Sequence, residues 1–321
     1  MIVGTVREIW RYPVKSMGGE RLDACAVSAN GLAGDRGWAL RDEASGEIRG
    51  GKQWPALMQC SAAYVDAVRE DARHGDQDAR HGDPALQVSI RFPDGSVVRS
   101  DADDVSSVIS RYLGARVSLW PLQPASDKAH YRRKQPGAAV VGAMGKSKTL
   151  RRALQAIVPY TPLNAQLRAE FSREADEPIP NLSELPGELF EFATPPGTYF
   201  DAFPIHLLTT ASLAHLRACN PNADWDTRRF RPNILIETAA GITGLVEKDW
   251  SGRRIRIGEV EVHCTIPTVR CGMTMQPQGD LPKDPSILRS IVRDAAQNLG
   301  VYATVCNAGT ALIGSPVELV A

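Results

Sequence analysis

The stretch RIRIGEVEVHCTIPTVRCGMT, residues 254–274, decides how this chain is read. Arg254 to Ile257 alternates polar and apolar residues, Gly258-Glu259 makes a turn, and Val260, Val262, Cys264 and Ile266 then fall on one face. Period-two alternation on both sides of a glycine-containing turn is the pattern of a β-hairpin with one face buried. The hairpin delivers the chain to Arg270-Cys271, so a thiol beside a guanidinium stands just past a strand end. A neighbouring cation lowers a thiol's pKa from about 8.5 and favours the thiolate, the form that ligates soft metals and carries sulfur. Local sequence leaves a second reading open for Cys271, that of a small buried hydrophobe.

Outward from the hairpin the chain stays rich in strands. Downstream, Asp284-Pro285 opens a helix with Ile287, Leu288, Ile291, Val292, Ala295 and Leu299 along one side and Gly300 as its stop, followed by strands over 301–307 and 311–319. Upstream, Thr209-Thr210 caps a helix carrying Leu213 and Leu216, and Arg231-Pro232-Asn233 leads into the strand 234–236. The first third reads as short strands over 2–11, 21–27, 37–42, 60–68, 86–92 and 97–100, with Phe92-Pro93-Asp94-Gly95-Ser96 as a hairpin turn. Asp101 precedes a helix bearing Val105, Val108, Ile109, Tyr112 and Leu113 and stopped by Gly114, before a strand over 116–120.

Two stretches resist the pattern. Ala72-Arg73-His74-Gly75-Asp76 recurs as Ala79-Arg80-His81-Gly82-Asp83, a polar duplication that suits an exposed hairpin tip. From residue 123 to about 200 the chain is Pro-rich, with one helix expected over 149–157. Its cations Arg132, Arg133, Lys134, Lys146, Lys148, Arg151 and Arg152 make either an anion-attracting face or a solvated surface.

With 321 residues, 43% of them hydrophobic, the chain is long enough for two cores. The 37 Lys and Arg residues balance 37 Asp and Glu, which argues against a nucleic-acid binder and makes any anion site local. No apolar stretch approaches the ~18 residues of a membrane span, and the start lacks a basic-then-apolar leader, so the expected location is cytoplasmic with no membrane partner. The 6 cysteines include no C-x-x-C pair, so the spacings of zinc ribbons and plant-type iron–sulfur clusters are missing.

Several polar stretches where strands end describe an anion site: Lys15-Ser16, Asp35-Arg36, and Arg231 and Asn233 around a proline, with the helix start near Thr210 adding N–H donors. Taken in order, YPVKSM (12–17), GLAGDRGWAL (31–40), FRPN (230–233), Arg270-Cys271 and GSPVEL (314–319) resemble the MOSC family with its N-terminal β-barrel partner domain. That family includes the C-terminal domain of molybdenum cofactor sulfurase and the mitochondrial amidoxime-reducing component.

The resemblance implies a mainly β fold with helices (α+β), in which an N-terminal β-barrel-like domain over 1–122 packs on a MOSC β-barrel over 123–321. The latter carries a long variable insertion at about 123–200. It implies a molybdenum cofactor, Mo-molybdopterin, with Cys271 as the single protein thiolate on the metal, soft sulfur ligation that suits the element. Lys15, Ser16, Arg36, Arg231 and Asn233 match positions that contact the pterin and its phosphate, Thr210 and Ser212 a helix start that supplies donors, and Arg270 a neutralising cation. Lys52-Gln53 resembles a loop near the site without an assigned contact. Two features depart from the family pattern: Val269 replaces a hydroxyl residue of the amidoxime reducers, with Thr268 as a possible substitute, and the 123–201 segment is longer.

The activity so implied is removal of oxygen from N-hydroxylated or other N-oxygenated small molecules, with electrons from an external ferredoxin-type or flavoprotein reductase. The alternative is a sulfur or cofactor carrier in which Cys271 bears a persulfide. A pyridoxal-phosphate desulfurase is not fused to the chain, so that route needs a donor in trans.

Overall fold

The computed structural model describes residues 1–66, 68, 86–134, 142, 145 and 147–320. Its centre is a closed barrel of seven strands. Passing round it, Ile2–Arg11 pairs with Ile234–Thr238, then come Ile205–Thr209, Asn298–Asn307, Val260–Val269, Arg254–Ile257 and Pro316–Val320, which returns to Ile2–Arg11. The pairing of Ile205–Thr209 with Ile234–Thr238 is parallel and the others antiparallel. A parallel neighbour requires a crossover, which the helix Thr210–Cys219 supplies. The Thr209 hydroxyl caps that helix by accepting from the Ser212 N–H at 3.2 Å.

Alternation fills the barrel. Ile255 and Ile257 are buried while Arg254 and Arg256 are exposed, and the register Ile255↔Val262 and Ile257↔Val260 sets two rows of branched side chains face to face. Cys264 lies in this interior and burial pushes its thiol up to about 12, so it packs as a hydrophobe.

A second core gathers Val14, Met17, Trp38, Leu57, Ile90 and Ile109. It is built by the sheet Val117–Pro121, Trp38–Asp42, Ile48–Arg49, the sheet Ser61–Tyr64, Val88–Arg91, Val97–Arg99, and the helix Val105–Leu113, which ends at Gly114 with φ 63° as expected. The division expected at residue 122 is crossed by the first strand, since Ile2–Arg11 closes the barrel made otherwise by residues 205–320.

Other expectations change. The last helix is Pro285–Asp294, and it stops five residues or more before Gly300 because Ala296 and Gln297 turn into left-handed backbone at φ 46° and 72°. Gly300 instead lies within the strand Asn298–Asn307, where a Cβ would come 2.6 Å from the Leu207 carbonyl oxygen. The expected strands over 21–27 and 311–319 each break, at Asp23 and Gly314, so their halves join different sheets. In the 123–200 segment, besides Lys148–Ile157, the helices Lys128–Tyr131 and Leu163–Phe171 form. Arg132 there pairs with Glu191, and Lys148 and Arg152 with Glu184. These pairs favour the solvated-surface reading of the basic run. The duplicated stretches at 72–76 and 79–83, and Lys146, fall outside the described residues.

Candidate functional site

Cys271 leaves the strand Val260–Val269 in extended conformation and caps the single turn Gly272–Met275; its carbonyl accepts from the Thr274 hydroxyl at 3.1 Å. It is half-exposed, whereas Cys25, Cys60 and Cys264 are buried and their thiols pushed up. Burial alternates along this run, with Thr268 and Arg270 inward and Val269 and Cys271 outward. Thr268 thus lies on the same side as Arg270, opposite Val269, and its Oγ1 is buried without a partner. The charge of a Cys271 thiolate acts on Lys52, Arg173, Arg270 and Tyr302.

Arg270 is buried. Its Nη2 donates to the Phe230 carbonyl at 2.8 Å, its backbone N–H to the Gln297 carbonyl at 2.9 Å, and its Nε has no partner. Burial pulls its pKa down, against the pull of Tyr302 and Cys271.

The Phe230 carbonyl leads to Arg231, where three loops meet on Tyr12. The guanidinium carbons of Arg231 and Arg36 stand 4.2 and 5.1 Å from the Tyr12 ring centre. The Tyr12 hydroxyl donates to the Pro232 carbonyl at 3.1 Å and its N–H to Asp35 Oδ1 at 2.7 Å. Arg231 donates one nitrogen to the Met17 carbonyl, its Nη2 is buried without a partner, and burial lowers its pKa to about 10. For Arg36, burial acts to lower the pKa, but the adjoining Asp35 carboxylate outweighs it and holds the cation.

Lys15 donates to the Tyr199 carbonyl at 3.0 Å and to Asp201. Burial lowers its pKa with Asp201 opposing, while Asp201 is held below the usual carboxylate range because Lys15, Arg36 and Lys52 outweigh its desolvation. Ser16 adjoins at φ 70°; with Arg36 at 52° and Arg231 at 53°, three sequence-expected residues hold left-handed backbone that costs a non-glycine residue about 1 kcal/mol or more. Ser172 and Gln297, on the far side of Cys271, share it. Strain gathers at this place in the molecule.

Arg36 and Arg231 thus meet on Tyr12, Lys15 and Arg36 on Asp201, and Arg270 reaches them through the Phe230 carbonyl, with Ser16 and Cys271 as chain neighbours of Lys15 and Arg270. Asn233 adjoins them, but its side chain is engaged inward: Oδ1 accepts from the His206 N–H at 3.0 Å and Nδ2 donates to Asp35 at 2.9 Å. Thr210 and Ser212 are not brought in. Thr210 bonds to Thr238 and Ser212 to the buried Glu247 carboxylate. His206 is the residue of that strand which meets Arg231 and Asn233, and Thr210 lies four positions on, roughly 13 Å at 3.3 Å per residue.

Sequence reading placed Asp35 in the anion-site stretch and Tyr12 in a family motif without giving either a role, and it missed Asp201, Arg173 and His206 as parts of the site. Asp201 and Arg173 lie in the segment without periodicity.

Four buried or nearly buried cations carry two orphaned guanidinium nitrogens, and one of the four, Arg270, directly precedes the half-buried Cys271. An unpaired buried donor costs about 1–3 kcal/mol, and an anion with several acceptor oxygens would remove that cost.

The model of the MOSC N-terminal beta barrel domain matches residues 3–116, and that of the MOSC domain matches residues 195–318. Mitochondrial amidoxime reducing component 2 of Bos taurus is 25% identical over 342 aligned positions, covering 98% of this chain and 83% of that protein. Among solved structures, the YUAD protein from Bacillus subtilis aligns over 99% of this chain and 95% of that one at 11% identity and a TM-score of 0.38. YiiM from Geobacillus stearothermophilus aligns over 37% and 55% at 19% identity and a TM-score of 0.28. With both of its domain models matched in order, the chain belongs to the MOSC-domain family.

Proposed function

We propose that this chain is a molybdenum-cofactor oxidoreductase that reduces N-hydroxylated or other N-oxygenated small molecules, using electrons from a separate ferredoxin-type or flavoprotein reductase. The observation that carries this reading is the pair of orphaned buried donors, Arg231 Nη2 and Arg270 Nε, on cations linked by the Arg270 bond to the Phe230 carbonyl, the second of them next to Cys271 in the chain. The likeness to mitochondrial amidoxime reducing component 2 of Bos taurus supplies the reaction class.

The residues fit such a group. Arg231, Arg36 and Lys15 would hold its phosphate, Ser16 would add a hydroxyl, and Arg270 would offset the negative charge near the thiolate. As the family resemblance implies, Cys271 would be the one protein ligand and the pterin sulfurs would supply others. When bound, the cofactor supplies the two-electron chemistry of the reaction. The protein's own part is to fix the anion with positive charge, hold Cys271 in place, and shape the opening above it.

The test is elemental and pterin-fluorescence analysis of protein from a host that makes the cofactor, beside Arg231→Met and Cys271→Ser. Near-stoichiometric molybdenum with pterin, lost in Arg231→Met and with altered metal ligation in Cys271→Ser, supports the reading. Protein without molybdenum or pterin but with cyanide-releasable sulfur on Cys271 overturns it in favour of a sulfur carrier.

A further inference from the structure

Residues 117–194 are matched by neither domain model, yet part of that stretch lies directly on the thiol's neighbour. After the helix Leu163–Phe171 the chain reverses at Ser172 in left-handed backbone, φ 53°. A Cβ on Gly272 would collide with the Ser172 hydroxyl and sit 2.9 Å from the Ser172 Cβ, so this turn touches the residue that follows Cys271.

Two groups hold it there from different sides. Arg173 donates through Nη2 to the Arg270 carbonyl at 2.7 Å, through Nε to Gln297 Oε1 at 3.0 Å, and through Nη1 to the Phe171 carbonyl at 2.9 Å. All three of these donating atoms serve the scaffold. On the other side, Lys52 Nζ meets Glu170 Oε1 at 2.7 Å and stands 4.8 Å from the centre of the Phe171 ring. The Arg173 anchor is largely buried, but Lys52 and Glu170 are 45% and 52% exposed, so the second hold is the weaker one.

We propose that the turn 170–173 is the specificity wall of the Cys271 site, admitting slim molecules to the thiol at all times and broad ones only when the Lys52–Glu170 pair opens. This deepens the functional reading above by naming the shape class of the substrate, and it places the determinant in residues that neither domain model covers.

The test reads access and needs no turnover. Full-length protein made without the pterin is treated with iodoacetamide or with a pyrene maleimide, and modification of each cysteine is followed by peptide mass spectrometry. The exposed Cys219 and Cys306 serve as internal references. The expected result is that Cys271 disfavours the broad reagent relative to those two. Glu170→Gln should raise its pyrene-maleimide rate about two- to fivefold, the range an exposed ion pair supports, with the iodoacetamide rate unchanged. Ser172→Gly, which suits the left-handed backbone, should act in the same direction. The proposal fails if Cys271 shows the same size ratio as Cys219 and Cys306, or if neither substitution moves it. Molybdenum content of the same variants from a cofactor-making host reports on the cofactor reading alone, so the two ideas fall separately.

Discussion

Asn233 donates through Nδ2 to Asp35 Oδ2 at 2.9 Å, across 198 residues of sequence. The same carboxylate takes the Tyr12 N–H at 2.7 Å and the Arg36 guanidinium, so one fully buried side chain joins the three loops that present the cations. Asp35→Ala leaves Arg36 without its partner in a nearly buried position, and a loss of about 3–5 kcal/mol is expected. Urea denaturation of the variant measures it; a change below 1 kcal/mol would mean that the loops stand without this hub.

Cys271→Ser should leave stability within ~0.5 kcal/mol of the parent, because the thiol is half-exposed and lies outside the packed cores. Reductase-coupled turnover of an N-hydroxylated substrate should nevertheless vanish. Retained turnover would remove Cys271 from the chemistry, whatever the metal content.

Arg231→Met and Thr210→Ala separate the site from its expected extension. Arg231 carries an orphaned nitrogen and lies over Tyr12, so its loss should reduce pterin retention at least about tenfold, the order of one charge-assisted contact of ~1.4 kcal/mol or more. Thr210 bonds to Thr238 and should leave retention unchanged. Pterin fluorescence per mole of protein reads both, and an equal loss in the two variants would return the helix start to the site.

His206 gives the fold an acid limit. Burial, followed by the nearby Arg270 charge, lowers its pKa from 6.5 to about 3, and its Nδ1 faces the Arg231 carbonyl at 3.4 Å. A proton is thus bound more readily by the unfolded chain. The stability from keeping His206 neutral is whole above pH 6.5 and falls between about 6.5 and 3, by up to ~1.4 kcal/mol per pH unit. His206→Gln should flatten that limb in denaturation curves taken across the window. An unchanged slope would place the acid sensitivity elsewhere.

What sequence shows of this molecule follows the range of the forces involved. The hairpin over 254–266 and the helix Val105–Leu113 are legible because their apolar periods are local. Closure of the barrel is not, since Ile9↔Ile234 and Gly4↔Val317 are pairings between remote strands that share no local signal. The helix end at Asp294 was obscured by apolar Leu299, which continues the helical period although it lies in a strand. At the site, Lys15, Arg36 and Arg231 stand out through the motifs around them, but Asp201 and Arg173 reach Lys15 and Arg270 across 186 and 97 residues from an aperiodic stretch.

The way Ile2–Arg11 closes the barrel also bears on synthesis. Glu20–Leu22 meets only its end, Ile9 to Arg11, and its two barrel neighbours, Ile234–Thr238 and Pro316–Val320, leave the ribosome long after it does. A strand with both edges unmet is open to pairing with other chains. Until those strands emerge, residues 2–8 must therefore be shielded or held in transient contacts, and the barrel closes only after Pro316–Val320 has emerged. Slowing the ribosome between the codons for Ile234–Thr238 and those for Pro316–Val320 would lengthen the exposure of that edge and should lower the soluble yield, while slowing it earlier than residue 100 would change the yield less.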